Sequence, residues 1–226
     1  IRENKLGLIN SMMADFMTQF GATFELDHCL FKLEYVIENF QNWMKDGKVS
    51  TGWSVAHFMD KVWTHYDPIG VVLIIGSWNA PLLLTLEPLM GAISAGCCAV
   101  IKPSELAYNT SKYLAQNLPK YLDGRTFRIH EGGPAETESL VESFKWDLIF
   151  YTGSEKIGRI VYQQAAKQLT PVVLELGGKC PAIVLEDLSG EKLQIAADRI
   201  LSTKGLKCGQ LCISIDYIIC EEKIFD

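Results

Sequence analysis

The stretch Pro68-Ile69-Gly70-Val71-Val72-Leu73-Ile74-Ile75-Gly76-Ser77-Trp78-Asn79-Ala80-Pro81 reads as a buried strand that runs into a turn. Its apolar core, Val71–Ile75, is continuous rather than alternating, the pattern of a strand covered on both faces. The run sits in a longer apolar segment: residues 69–86 carry no formal charge, and 88–101 continue almost as apolar beyond the single Glu87. A membrane-spanning helix is the competing reading. Gly76, Asn79, Pro81 and Pro88 would break such a helix and leave backbone groups unsatisfied in lipid, whereas a strand, a turn and a packed helix use them without penalty. No membrane span is therefore expected here.

Outward from this strand the same pattern recurs. Short apolar runs at 99–101, 127–130, 147–151, Val172–Leu176 and 182–185 alternate with helix-length segments at 82–94, 109–118, 136–144 and 155–168. In the last of these, Ile157, Ile160, Val161 and Ala165 fall on one side. Parallel neighbours need crossovers, and crossovers cover both faces, so the alternation predicts an α/β fold with a doubly wound parallel sheet, Rossmann-like in plan. Ligands in such sheets bind beyond the carboxyl ends of the strands.

Upstream, Leu6, Ile9, Met13, Phe16, Met17 and Phe20 share one helical stripe, and Leu33, Val36, Ile37, Phe40, Trp43 and Met44 a second. Two amphipathic helices are expected to open the chain, followed by a less regular stretch over 48–68. The expected division is an N-terminal helical segment (1–68) packed on a dinucleotide-binding domain (69–176), with the start of a second, catalytic α/β domain after it (177–226). Internal repeats and low-complexity segments are absent from the sequence.

Composition narrows the class. Length 226, 48% hydrophobic and 21% charged residues describe an ordinary globular chain with enough mass to bury a core without staples. Lys and Arg number 21 against 27 Asp and Glu, a formal charge of -6, which argues against nucleic acid as a partner. Seven cysteines in no framework spacing suit a reducing compartment, and the first residues show no secretory pattern, so a cytoplasmic or organelle-matrix location is expected. The sequon Asn109-Thr110-Ser111 carries little weight without a signal segment.

The candidate chemistry lies in four places. No dinucleotide fingerprint of glycines spaced one and two apart occurs, and Thr152-Gly153-Ser154-Glu155-Lys156-Ile157-Gly158 lacks the Lys-Ser/Thr pair that a triphosphatase loop needs at Arg159-Ile160. What remains there is a strand feeding a helix N-terminus, with Ser154 either a phosphate-binding residue or a plain helix cap. Lys102-Pro103-Ser104-Glu105 ends another strand and offers a cation and a carboxylate to a sugar, or else is a solvated turn. Glu175, inside the apolar run Leu174-Glu175-Leu176, is either a buried carboxylate raised toward the range of a general base or an outward-pointing residue of an edge strand. Cys208-Gly209-Gln210-Leu211-Cys212 reads as a metal half-site, a redox pair or a nucleophile with a bystander. Metal is the weakest of these, because no second Cys/His cluster accompanies it.

Taken in order, the 68–72 segment, Gly76-Ser77-Trp78-Asn79-Ala80-Pro81, Lys102-Pro103-Ser104-Glu105, Tyr151-Thr152-Gly153-Ser154, Leu174-Glu175-Leu176-Gly177-Gly178-Lys179 and Cys208-Gly209-Gln210-Leu211-Cys212-Ile213 resemble the aldehyde dehydrogenase superfamily, and within it the class 3 type of fatty and aromatic aldehyde dehydrogenases. The resemblance implies NAD(P)-dependent oxidation of a hydrophobic aldehyde to its acid. It implies Cys212 as nucleophile, Glu175 as the base that activates water, and Asn79 with the Cys212 N–H as oxyanion donors. It also implies adenine-ribose contacts at Lys102 and Glu105 and phosphate contacts from Trp78 and Ser154. Ser104, Gly153, Gly158, Leu176 and Gly177 complete the expected cofactor-binding set. A carboxylate at Glu105 suits free ribose hydroxyls, so NAD is preferred, with NADP possible.

Two positions depart from the family pattern: Lys207 stands where Asn is usual and Leu211 where Thr is usual. A lysine there either lowers the thiol pKa or disturbs a packed turn. Family members run on well past the nucleophile and pair as dimers, so the chain reads as a piece of such an enzyme or a shortened relative, a homodimer if full-length. The alternative is a catalytically silent homologue acting as a structural or assembly subunit.

Overall fold

The structure is a computed structural model and describes residues 1–50, 52 and 55–225. Helices α1 (Lys5–Asp15) and α2 (Gln19–Trp43) open the chain. Phe16, Met17 and Thr18 separate them, and the Thr18 side chain accepts the Gly21 N–H at 3.1 Å as the N-cap of α2. The expected stripe from Leu6 to Phe20 is thus split between two helices, and its ends are exposed, Leu6 at 72% and Phe20 at 70%. The buried side of α1 is Leu8, Ile9 and Met12. Periodicity ran on across the break because two of its three residues, Phe16 and Met17, are themselves apolar. Of the second stripe, Leu33 and Val36 pack against the core, whereas Ile37, Trp43 and Met44 are exposed.

Within the stretch expected to be irregular, β1 (Gly47–Val49) and β2 (Val62–Thr64) pair antiparallel. Three-residue strands with mostly exposed side chains leave no period to read.

The sheet follows: β3 (Val71–Ile75), α3 (Leu83–Ser94), β4 (Cys98–Lys102), α4 (Tyr108–Asn117), β5 (Phe127–Ile129), α5 (Pro134–Ser143), β6 (Leu148–Gly153), α6 (Glu155–Ala166) and β7 (Val172–Leu176). All five strands pair in parallel in the order β5-β4-β3-β6-β7. Alternation along β3 builds both faces. Val72 and Ile74 join Ala99 and Ile101 under α1 to α4, while Leu73 and Ile75 join Ile149 and Tyr151 under α5 and α6. Each fully buried Leu or Ile contributes about 1.5–3 kcal/mol, and the sheet is held from both sides as the doubly wound reading requires. The charge-free segment at 69–86 resolves into β3, a turn and the start of α3, and Pro88 lies inside α3 instead of ending it. No helix among the described residues is long and apolar enough to cross a membrane.

Asp15, at the end of α1, ties the N-terminal helices to this core. Its carboxylate accepts the Asn109 and Thr110 amides at 2.7 and 2.9 Å and the Asn109 Nδ2 and Thr110 Oγ1 donors at 2.9 and 2.7 Å. The first two side chains of the sequon are therefore engaged in capping α4. After β7, β8 (Pro181–Val184), α7 (Glu191–Gly205) and β9 (Tyr217–Cys220) form a separate parallel pair of strands with its own crossover helix.

Candidate active site

From β3 the chain passes to β4 and β5 on one side and then to β6 and β7 on the other, so the winding reverses between β3 and β6. A crevice at the carboxyl ends of the strands is expected at such a reversal. A cavity of about 610 Å³ lies there. Its lining includes Trp78 and Asn79 after β3, Lys102 at the end of β4 with Ser104 and Glu105 after it, Gly153 at the end of β6 with Ser154 after it, Glu175, Leu176 and Gly177 at the end of β7, and Cys212. Five segments distant in sequence are thereby gathered at one edge of the sheet.

One expected residue is not among the lining. Gly158 is buried in α6, where an added Cβ would lie 2.9 Å from Leu176 Cδ2 and 3.3 Å from Tyr151 Cε1. Its lack of a side chain lets α6 approach β6 and β7, which is a packing role. Ser154 is the N-cap of α6 and accepts the Ile157 N–H at 3.4 Å, so the plain-cap reading is realised while the same residue faces the cavity.

Lys102 and Ser104 are buried, and the solvated-turn reading of this segment is overturned. Lys102 Nζ donates to Glu105 Oε2 at 2.6 Å. Partial burial alone would raise the Glu105 carboxyl, but hydrogen bonds from Lys102 and from its own backbone amide, with the field of the lysine, outweigh it and the pKa is lowered. A carboxyl lowered in the folded state stabilises the fold above its unfolded value and loses that contribution as pH falls through the folded value. Glu105→Gln is expected to reduce the fall in melting temperature below about pH 5 relative to the wild type. The effect is moderated because the carboxylate is 38% exposed. Acid melting curves that are parallel in the two proteins would contradict this.

The thiol segment adopts a turn over Leu206–Gly209 in which Lys207, Cys208 and Gly209 are successively left-handed, at φ 48°, 56° and 75°. Only the glycine does so freely. Gln210 then donates through its backbone N–H to the Lys207 carbonyl at 3.1 Å, and Asn79 Nδ2 donates to the Gln210 carbonyl at 2.9 Å. Cys212 is exposed to the cavity, and its carbonyl accepts the Cys180 thiol at 3.0 Å. The nucleophile candidate thus faces open space rather than a dry interior. Lys207 reaches toward the N-terminal helices. Its ammonium lies against Glu25 of α2 and donates to the Asn79 carbonyl at 3.1 Å.

Glu175 departs from the expectation that it is buried. In the five-stranded sheet β7 is an edge strand, and Glu175 is exposed opposite Thr152. The edge-strand reading is the one realised, although the residue still borders the cavity. Sequence reasoning missed the wall made by Leu106 and by Pro134, Thr137, Glu138 and Val141 along α5, and it missed Gln164 on α6. The short β5–α5 connection at the same sheet edge was the available signal for Pro134.

A family profile described as the aldehyde dehydrogenase family matches residues 3–226. The chain belongs to the aldehyde dehydrogenase family. It is 41% identical over 226 residues to aldehyde dehydrogenase family 3 member A2 of Pongo abelii, covering 99% of this chain and 45% of that relative. It is 48% identical over 188 residues to an aldehyde dehydrogenase of Craterostigma plantagineum, covering 83% of this chain and 38% of the relative. Among solved structures, the substrate-bound state of Staphylococcus aureus AldH superposes with a TM-score of 0.92 at 33% identity, over 99% of this chain and 48% of that one. The chain therefore spans under half the length of these family members. The class 3 resemblance and the Rossmann-like plan read from the sequence agree with these findings.

Proposed function

We propose that this chain carries the cofactor-binding and nucleophile-bearing part of a nicotinamide-dependent aldehyde dehydrogenase that oxidises a hydrophobic aldehyde to its carboxylic acid. The observation that carries the reading is the gathering of Cys212, Asn79 and Glu175 on one cavity at the switch point of the sheet. The Cys212 thiolate attacks the aldehyde carbonyl and forms a thiohemiacetal. Asn79 Nδ2 and the Cys212 N–H hold the developing oxyanion, the amide using the second of its two hydrogens while the first stays on the Gln210 carbonyl. Loss of hydride from the former aldehyde carbon leaves a thioester on Cys212. Glu175, reachable from solvent on its edge strand, takes a proton from the water that hydrolyses it.

The cavity suits a dinucleotide. Thr152 Oγ1 and Gln164 Oε1 are buried without hydrogen-bond partners and both line it, polar atoms for which a polar ligand supplies partners. Bound NAD supplies the hydride acceptor. Lys102 and Glu105 hold the adenine ribose, and Trp78 and Ser154 the phosphates, with Ser104, Gly153, Leu176 and Gly177 shaping the wall. The Glu105 carboxylate favours the free ribose hydroxyls of NAD over a 2′-phosphate. The same reading includes the division of the chain at 68/69 and 176/177, a reducing, cytoplasmic setting and assembly as a homodimer.

The direct test is covalent. Incubation of the Glu175→Gln variant with NAD and a long-chain aldehyde is expected to leave the acyl mass on the Cys212 peptide, because deacylation is slowed. Omitting the nucleotide is expected to leave only the free thiol. An acyl group on another residue, or none at all while NAD binds with full stoichiometry, would sink the proposal, and the latter outcome is that of a silent structural homologue.

A further inference from the structure

The ion pair between Lys207 and Glu25 lies outside every role assigned above, and both side chains are almost fully buried, at 5% and 0% exposed. Glu25 is engaged on both oxygens. Oε1 accepts the Leu82 and Leu83 amides at 2.8 and 2.9 Å, at the start of α3, and Oε2 faces the lysine. The lysine also closes a ring of bonds. Lys207 Nζ donates to the Asn79 carbonyl, Asn79 Nδ2 donates to the Gln210 carbonyl, and Gln210 returns to the Lys207 carbonyl through both its backbone N–H and Nε2, each at 3.1 Å. Asn79 and the segment two residues before Cys212 are therefore mutually fixed, and Glu25 anchors the ring to α2 and α3.

Two further observations fit an anchor. Left-handed backbone at the non-glycine residues Lys207 and Cys208 persists only where its surroundings over-determine it. A buried ion pair is weak evidence for stability as such and better suited to holding a register. The charges act in the interior beside α2: burial pushes the Cys29 thiol up, Glu25 and Glu87 add to it, and Lys207 opposes them.

We propose that Lys207 and Glu25 form a positioning pair that holds the oxyanion donor Asn79 in register with the Cys212 turn, and that the lysine does not activate the thiol. This rests on Cys212 and Asn79 acting as proposed above.

The test is made in the intact protein with Lys207→Met, Glu25→Gln, Lys207→Arg and Cys212→Ser. Lys207→Met and Glu25→Gln are each expected to lower kcat about ten- to a hundredfold, the scale of a small misplacement of reacting groups, with the aldehyde KM within about threefold. Lys207→Arg, which keeps the cation, is expected to restore kcat to within about threefold of the wild type. The pH midpoint of Cys212 alkylation by iodoacetamide is expected to be the same in the wild type and Lys207→Met. Wild-type kcat in folded Lys207→Met, or a midpoint raised by about one unit, the mark of a lost thiolate-stabilising cation, overturns the proposal. Should Lys207→Met fail to fold, Glu25→Gln decides, because its amide oxygen still accepts the Leu82 and Leu83 amides; wild-type kcat in that variant overturns the pair equally. Full turnover by Cys212→Ser would remove the nucleophile assignment itself, a result distinct from inactive Cys212→Ser with unaffected Lys207→Met.

Discussion

Cys212→Ala is expected to reduce aldehyde-dependent NADH formation by on the order of 10³- to 10⁶-fold, the range over which a covalent nucleophile is lost when binding and electrostatics survive. The effect should be chemical rather than conformational. The Cys212 side chain is exposed, and the polar contact made by the residue, from the Cys180 thiol to the Cys212 carbonyl, belongs to the backbone and outlives the substitution. The melting temperature should accordingly match the wild type, since exposed substitutions stay within about 0.5 kcal/mol. Cys208→Ala is the control. Cys208 is also exposed, but it does not line the cavity, and turnover should persist. Equal activity losses in the two cysteine variants, or full activity in Cys212→Ala, would refute the assignment of the nucleophile.

Asn79→Ala should lower kcat by about 10²- to 10³-fold, the usual consequence of removing one oxyanion donor. KM should change little if the donor acts on charge that develops only after attack. The same substitution frees the Gln210 carbonyl, which accepts Asn79 Nδ2 in this structure, so a structural contribution of about 0.5–1.5 kcal/mol is expected as well. Asn79→Asp separates the two effects. It keeps the shape and removes the donor, and it should be as slow as the alanine variant. Recovery of turnover in Asn79→Asp would show that shape, not donation, matters at this position.

How much of this was legible beforehand differs from element to element. β3 and β7 lie where the apolar runs at 71–75 and 172–176 placed them; for β3 the run is continuous because the strand is buried on both faces, whereas β7 is an edge strand. The helices between them start and stop within two residues of the helical periods. The boundary between α1 and α2 was hidden, because Phe16 and Met17, between the end of α1 and the Thr18 cap of α2, carry the apolar spacing across it. The ribbon of β1 and β2 was hidden for the opposite reason: its side chains are mostly exposed, so nothing selects an alternation.

The site shows the same division. Motifs that end strands, at Asn79, Lys102, Ser154 and Glu175, could be placed at the ligand-binding edge from sequence alone, since a doubly wound sheet brings the carboxyl ends of its strands together. Burial could not. Glu175 sits in an apolar run and looked enclosed, yet its strand is at the edge and the carboxylate is exposed, whereas Lys102, the charged last residue of β4, is buried against Glu105. Gly158 belonged to the same motif as Ser154 but serves the packing of α6.

Amino-acid order alone determined the layers of this protein, the strand sequence that makes its sheet parallel, and the set of side chains presented at one sheet edge, because these follow from local period and from crossovers that chain length permits. Tertiary structure decided what those side chains meet. Glu25 and Lys207 are 182 residues apart, and no spacing rule relates them. Only the packing of α2 beside the start of α3 and the Cys212 turn brings their charges together, since the free energy of a buried charge depends on which neighbours the fold supplies.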